Sequence, residues 1–134
     1  MIIDSAHNRD SAQKLYNVLE DYFPGKKVVL VFGASEDKDI SGMLTELKPG
    51  VDQVVATKST HPRAADPEEL VAFANKLGLP AISTLSVEEA MIEAEQLSGG
   101  KTITLVTGSI FIAAAAREVW LSNLREKDLA YTGK

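Results

Sequence analysis

"KVVLVFG", residues 27–33, is an unbroken run of β-branched and apolar residues closed by a glycine. A strand with one wet face alternates apolar and polar residues, so a continuous run fits a strand buried on both faces of a sheet. The flanks alternate with it. Upstream, Ala12, Leu15, Tyr16, Leu19, Tyr22 and Phe23 recur at spacings of three and four, which predicts a helix over residues 8–23. The "MIID" before it, residues 1–4, reads as the end of a strand. Downstream, residues 39–50 predict a helix ending at Pro49-Gly50, and "VDQVVAT", residues 51–57, a strand. A loop, "KSTHPRAAD", leads into a helix over 67–78 that opens with Asp66, Pro67 and early glutamates. "PAIS", residues 80–83, is a short strand, and Ser86 caps a helix over 86–98. "KTITLVTG", residues 101–108, is the last long strand, and residues 109–124 the last helix. The tail from Arg125 to Lys134 shows no clear periodicity. Strand–helix alternation of this kind predicts an α/β domain of three layers, with a mainly parallel sheet covered by helices on both faces.

The 134 residues suit one domain, 1–134, with no linker, repeat or low-complexity segment. A net charge of −5 without a basic block argues against non-specific nucleic-acid binding. The chain has no cysteine, which removes disulfide and thiolate chemistry and fits a reducing compartment. Its apolar runs are too short to span a bilayer, and the N-terminus lacks the layout of a signal peptide. The expectation is a cytoplasmic protein. Only two histidines occur, His7 and His61, and no His/Asp/Glu cluster has ligand spacing, so no metal site is expected.

In parallel sheets, ligands bind where strands exit into helices. That rule selects Asp4–Asn8, Gly33–Asp39 and Thr107–Ser109. Gly108-Ser109 stands at a helix start, where amides and a hydroxyl hold an anion or where the serine simply caps the helix. Lys38, between Asp37 and Asp39, is either a point charge for a carboxylate or phosphate or a neutralising residue of an acidic loop. Asp4 suits ribose hydroxyls and His7 a phosphate or a proton; alternatively Asp4 and Asn8 cap the next helix and His7 packs over its first turn. "SGGKT", residues 98–102, only looks like a phosphate loop: Lys101-Thr102 opens a strand rather than a helix, so the segment is a turn.

Four stretches together resemble a known family. "DSAHN" from Asp4, "VFGASEDKD" from Val31, "HPRAADPEEL" from His61 and "VTGSIFIAAAARE" from Val106 are similar, in order and spacing, to motifs of the folylpolyglutamate synthase/dihydrofolate synthase family of the Mur ligase superfamily. The resemblance runs from residue 4 to about residue 120 and covers only the C-terminal, Rossmann-like domain of those enzymes. It implies an ATP-dependent ligase that joins L-glutamate to a folate or pteroate carboxylate through an acyl phosphate. It also implies a missing N-terminal ATPase domain as partner, carrying the phosphate loop, the Mg²⁺ ligands and most of the folate site. Alone, the chain is then expected to be inactive.

Carried over by position, the resemblance makes Asp4, His7 and Asn8 nucleotide contacts, with His7 also the catalytic candidate near the terminal phosphate. Asp37, Lys38 and Ser109 become the glutamate contacts, Lys38 facing the amino-acid carboxylate. Arg63 is a further cation or a surface residue flanking a helix. Ser5 stands where the family usually has glycine, and a positive φ there would cost about 1 kcal/mol or more. Two other readings stay open: a free-standing regulatory module for nucleotides or acidic metabolites, and the equivalent domain of a peptidoglycan Mur ligase.

Overall fold

The computed structural model describes residues 1–99 and 101–132. Gly100 of the predicted 98–102 turn and the last two residues of the tail lie outside them. Among the described residues there are five strands: β1 (Ile2–Ile3), β2 (Lys27–Phe32), β3 (Gln53–Ala56), β4 (Ala81–Ser83) and β5 (Thr102–Thr107). Five helices alternate with them: α1 (Arg9–Tyr22), α2 (Ile40–Leu47), α3 (Pro67–Lys76), α4 (Val87–Leu97) and α5 (Ile110–Thr132). The strands form one sheet in the order β1-β5-β2-β3-β4, and every neighbouring pair is parallel. The three-layer expectation holds.

β2 explains the layering. Its alternate residues point to opposite faces, so Val28, Leu30 and Phe32 enter one core while Val29 and Val31 enter the other. The first core lies under α1, α2 and α3, whose Leu15, Leu19, Met43, Leu44, Leu47 and Leu70 fill it. The second lies under α4 and α5, with Ala90, Met91, Ala94, Ile112 and Ala116. Leu30 sits at the centre, in register with Leu105 on one side and Val54 on the other, and has no exposed surface. Each such side chain contributes about 1.5–3 kcal/mol relative to an exposed one. Asp39, Asp66 and Ser86 cap α2, α3 and α4 with their side chains.

Two boundaries differ from the sequence reading. The 39–50 helix is α2 followed by a 3-10 turn over Lys48–Gly50, because Pro49 cannot donate to the helical ladder. The last helix continues to Thr132 rather than stopping near residue 124. Its Arg, Glu, Lys, Leu and Ala residues are all good helix formers, so propensity carries the helix on without an apolar stripe. Among the described residues no helix is long and apolar enough to cross a membrane.

Candidate functional site

The strand order sets the site. β5 lies between β1 and β2, so the three exits selected from the sequence emerge side by side at one end of the sheet. The helices leave in opposite directions: α1 and α2 pack in the core on one face and α5 on the other. A crevice at such a switch point is where parallel sheets bind ligands.

In the first loop, the Asp4 N–H donates to the Val106 carbonyl at 2.9 Å, extending the β1–β5 pairing. The Asp4 carboxylate then accepts from the Ala6 N–H at 2.8 Å, turning the chain within the loop rather than capping α1. Asn8 is the N-cap. Its Oδ1 accepts from the Ser11 N–H at 2.8 Å, and Ser11 Oγ accepts from the Asn8 N–H at 3.1 Å. The His7 ring is exposed, with Nδ1 3.0 Å from the Ser5 carbonyl. A carbonyl can only accept, so Nδ1 carries the ring proton and Nε2 remains free for a ligand. Ser5 does not take a positive φ, so a side chain here in place of the family's glycine brings no left-handed strain.

The second exit is locked to the first and the third. The Gly108 N–H donates to the Ala6 carbonyl at 3.1 Å, and the Gly33 N–H to the Thr107 carbonyl at 3.4 Å. Gly108 has φ +123°, and a Cβ there would lie 2.1 Å from the Gly33 carbonyl oxygen. Glycine is what allows these two strand exits to touch. Ser109 is 7% exposed and its Oγ accepts from the Ile112 N–H at 3.0 Å, so it caps α5. Its hydroxyl proton is still available to an acceptor beside the positive end of the helix.

The third exit, residues 33–39, is zipped to the loop that follows β3. The Glu36 N–H donates to the Arg63 carbonyl at 2.8 Å, and the Ala65 N–H to the Ala34 carbonyl at 2.9 Å. Asp39 spends its carboxylate on the Gly42 N–H, at 2.9 Å, as the α2 cap. Asp37 lies 3.9 Å from the Arg63 guanidinium. Lys38 is exposed and, among the described residues, pairs with no carboxylate. One loop therefore presents Lys38, with Arg63 brought alongside from the next.

Sequence reasoning passed over part of this end. An open groove of about 920 Å³ runs from the β3 exit to α5, lined among others by Lys58, His61, Leu85, Phe111 and Glu118. His61 stacks on Phe111 with ring centroids 4.1 Å apart. The signal was present as "HPRA", but a loop residue without periodicity announces no contact with a helix some fifty residues away. Two strand-end hydroxyls, Thr57 and Thr107, are fully buried and have no hydrogen-bond partner among the described residues. No group of three potential metal ligands occurs among the described residues.

Residues 1–110 match the family described as Mur ligase, glutamate ligase domain. The chain belongs to that family. It is similar to a probable bifunctional folylpolyglutamate synthase/dihydropteroate synthase of Haloferax volcanii, 35% identical over 121 residues, covering 90% of this chain and 14% of the relative. Among solved structures it resembles Escherichia coli FolC in complex with DHPP and ADP, with a TM-score of 0.82 at 30% identity over 90% of this chain and 28% of that one. It also resembles a bifunctional folylpolyglutamate synthase/dihydrofolate synthase, that of the structure with Mn, AMPPNP and L-glutamate bound. There the TM-score is 0.75 at 30% identity, over 87% of this chain and 28% of that one. The chain thus spans less than a third of the length of these relatives.

Proposed function

We propose that this chain is the C-terminal domain of an ATP-dependent ligase that adds L-glutamate to a folate or pteroate carboxylate, acting in the cytoplasm with a separate ATPase domain. The observation that carries the reading is the side-by-side emergence of the 4–8, 107–109 and 33–39 loops at one sheet end, with Lys38 paired to no carboxylate among the described residues. An acyl phosphate and a dianionic amino acid call for cations and preorganised donors. Asp4, with one carboxylate oxygen still open, suits ribose hydroxyls, and His7 Nε2 suits a terminal phosphate. Asn8 holds the turn that presents them. Lys38 meets the glutamate carboxylate, Asp37 holds its loop and Arg63, and the Ser109 hydroxyl donates to the substrate from the start of α5. The divalent ion and the phosphate loop belong to the ATPase domain, and ATP supplies the activated phosphoryl group.

A domain exchange tests this. The chain replaces the equivalent domain of the Escherichia coli enzyme, and ADP release is followed with glutamate and dihydropteroate. The isolated chain is expected to turn over nothing. The hybrid is expected to be active, with Lys38→Ala raising the glutamate KM at least tenfold, as loss of a charged hydrogen bond does. Turnover by the isolated chain, or a glutamate KM indifferent to both Lys38→Ala and Ser109→Ala, would overturn the proposal.

A further inference from the structure

The two histidines of this chain are held in opposite ways. The His7 Nδ1 donates to a carbonyl, whereas the His61 Nδ1 accepts the Arg63 N–H at 3.1 Å. An N–H can only donate, so the neutral His61 ring carries its proton on Nε2. The same half-buried ring stacks on Phe111, in the first turn of α5, at an interplanar angle of 27°. The Arg63 carbonyl in turn accepts the Glu36 N–H at 2.8 Å, and its guanidinium lies 3.9 Å from Asp37. One imidazole therefore links three elements: the β3–α3 loop, the Asp37-Lys38 loop through Arg63, and the helix start that carries Ser109.

We infer that His61 is a positioning residue, a splint that fixes Arg63 and the Asp37-Lys38 loop relative to Ser109 only while its Nδ1 is unprotonated. Protonation turns Nδ1 from acceptor to donor, leaving the Arg63 N–H without its partner. The groove that His61 lines also carries Lys58 from its own loop and Glu118 from α5, and Arg63, two residues on, lies 3.9 Å from Asp37. From the start of α4 the groove receives only Ser86 and Val87, which are uncharged. Acid thus loosens the amino-acid side of the crevice, while His7, which already donates from Nδ1, keeps its loop contact. The consequence for glutamate rests on the ligase reading; the splint itself does not.

Two arms test this. In the isolated chain, nitrogen-detected NMR reads both tautomers and the Arg63 amide across pH 5–8. The expected result is an Nε2–H tautomer at His61, an Nδ1–H tautomer at His7, and an Arg63 amide that follows the His61 titration. In His61→Asn, where the amide oxygen accepts from the second residue on without titrating, the Arg63 amide is flat. An Nδ1–H tautomer at His61, or an Arg63 amide that ignores its titration, overturns the splint. In the hybrid ligase, glutamate KM is expected to rise several-fold toward pH 5.5 in the parent, and this acid limb disappears in His61→Asn. His61→Phe keeps the stack without the acceptor and raises KM roughly fivefold at every pH, with kcat little changed. Unaltered KM profiles in both variants overturn the positioning role. A hybrid with no glutamate-dependent turnover instead sinks the ligase reading, and the NMR arm still decides the splint.

Discussion

Replacing Gly108 by alanine attacks the contact that joins two strand exits. The residue sits at φ +123°, where a side chain costs about 1–2 kcal/mol in backbone strain. The new Cβ would lie 2.1 Å from the Gly33 carbonyl oxygen and 3.1 Å from Phe32 Cε1. Neither is a flexible side-chain end: one is backbone of the adjacent loop, the other a fully buried ring. Relief requires β2 and β5 to part at their ends, and overpacking of this kind adds about 1–3 kcal/mol. The expected loss is therefore about 2–5 kcal/mol, a large share of the 5–15 kcal/mol that holds a typical domain. Gly25→Ala is the control, since Gly25 has φ +72° but a methyl group there would meet no atom within 4 Å. It should lose only the backbone part. Urea unfolding followed by far-ultraviolet dichroism reads both, and with a slope of roughly 2 kcal/mol per molar the Gly108 variant should unfold about 1–2.5 M earlier than the parent. If the two variants agree within about 0.5 kcal/mol, the close approach of Gly33 is not what makes glycine necessary here.

Three smaller perturbations follow from the same geometry. Asn8→Ala removes the α1 cap and should cost about 1 kcal/mol, read as a drop of about 3–5 °C in Tm, while Asn8→Asp should lose far less. Thr57→Val replaces a buried hydroxyl that lacks a partner among the described residues, so it should be neutral or stabilise by up to about 1 kcal/mol in urea titration; a clear loss would mean that the hydroxyl is bonded in solution. Burial first, and then Glu20, hold the Tyr16 phenol above its ordinary range. The folded chain therefore binds that proton more tightly than the unfolded one. The resulting stability is present below about pH 10 and is lost as pH rises through the raised value, so Tyr16→Phe should flatten the alkaline limb of a stability–pH curve.

Periodicity made most of the elements readable. Val28–Phe32 and the apolar stripe of α1 are local patterns, and local patterns survive into the fold. The order of strands was not readable in that way. β1 has only two residues, and its place beside β5 follows from crossovers that no local signal encodes. The strand-end rule nevertheless selected three loops that emerge side by side, because parallel sheets gather their exits at one end whatever the order. It did not reveal how each side chain is employed. Asn8 and Ser109 take the capping role that stood beside a ligand role in the sequence, and Asp39 caps as well; each choice is decided by a backbone N–H three residues on. His61 gave no warning, since its stack on Phe111 joins segments far apart in sequence.

The pairing of Ile2 with Leu105 has a consequence for the timing of synthesis. β2, β3 and β4, with the helices between them, are neighbours both along the chain and in space, and can pair as soon as they leave the ribosome. β5 enters between β1 and β2 only after nearly the whole domain has been made. The end of the sheet where the Asp4–Asn8 and Thr107–Ser109 loops meet is thus the last part to be completed. A nascent chain stalled before Gly108 would carry a largely formed β2–β4 half and an Asp4–Asn8 loop with nothing to close against.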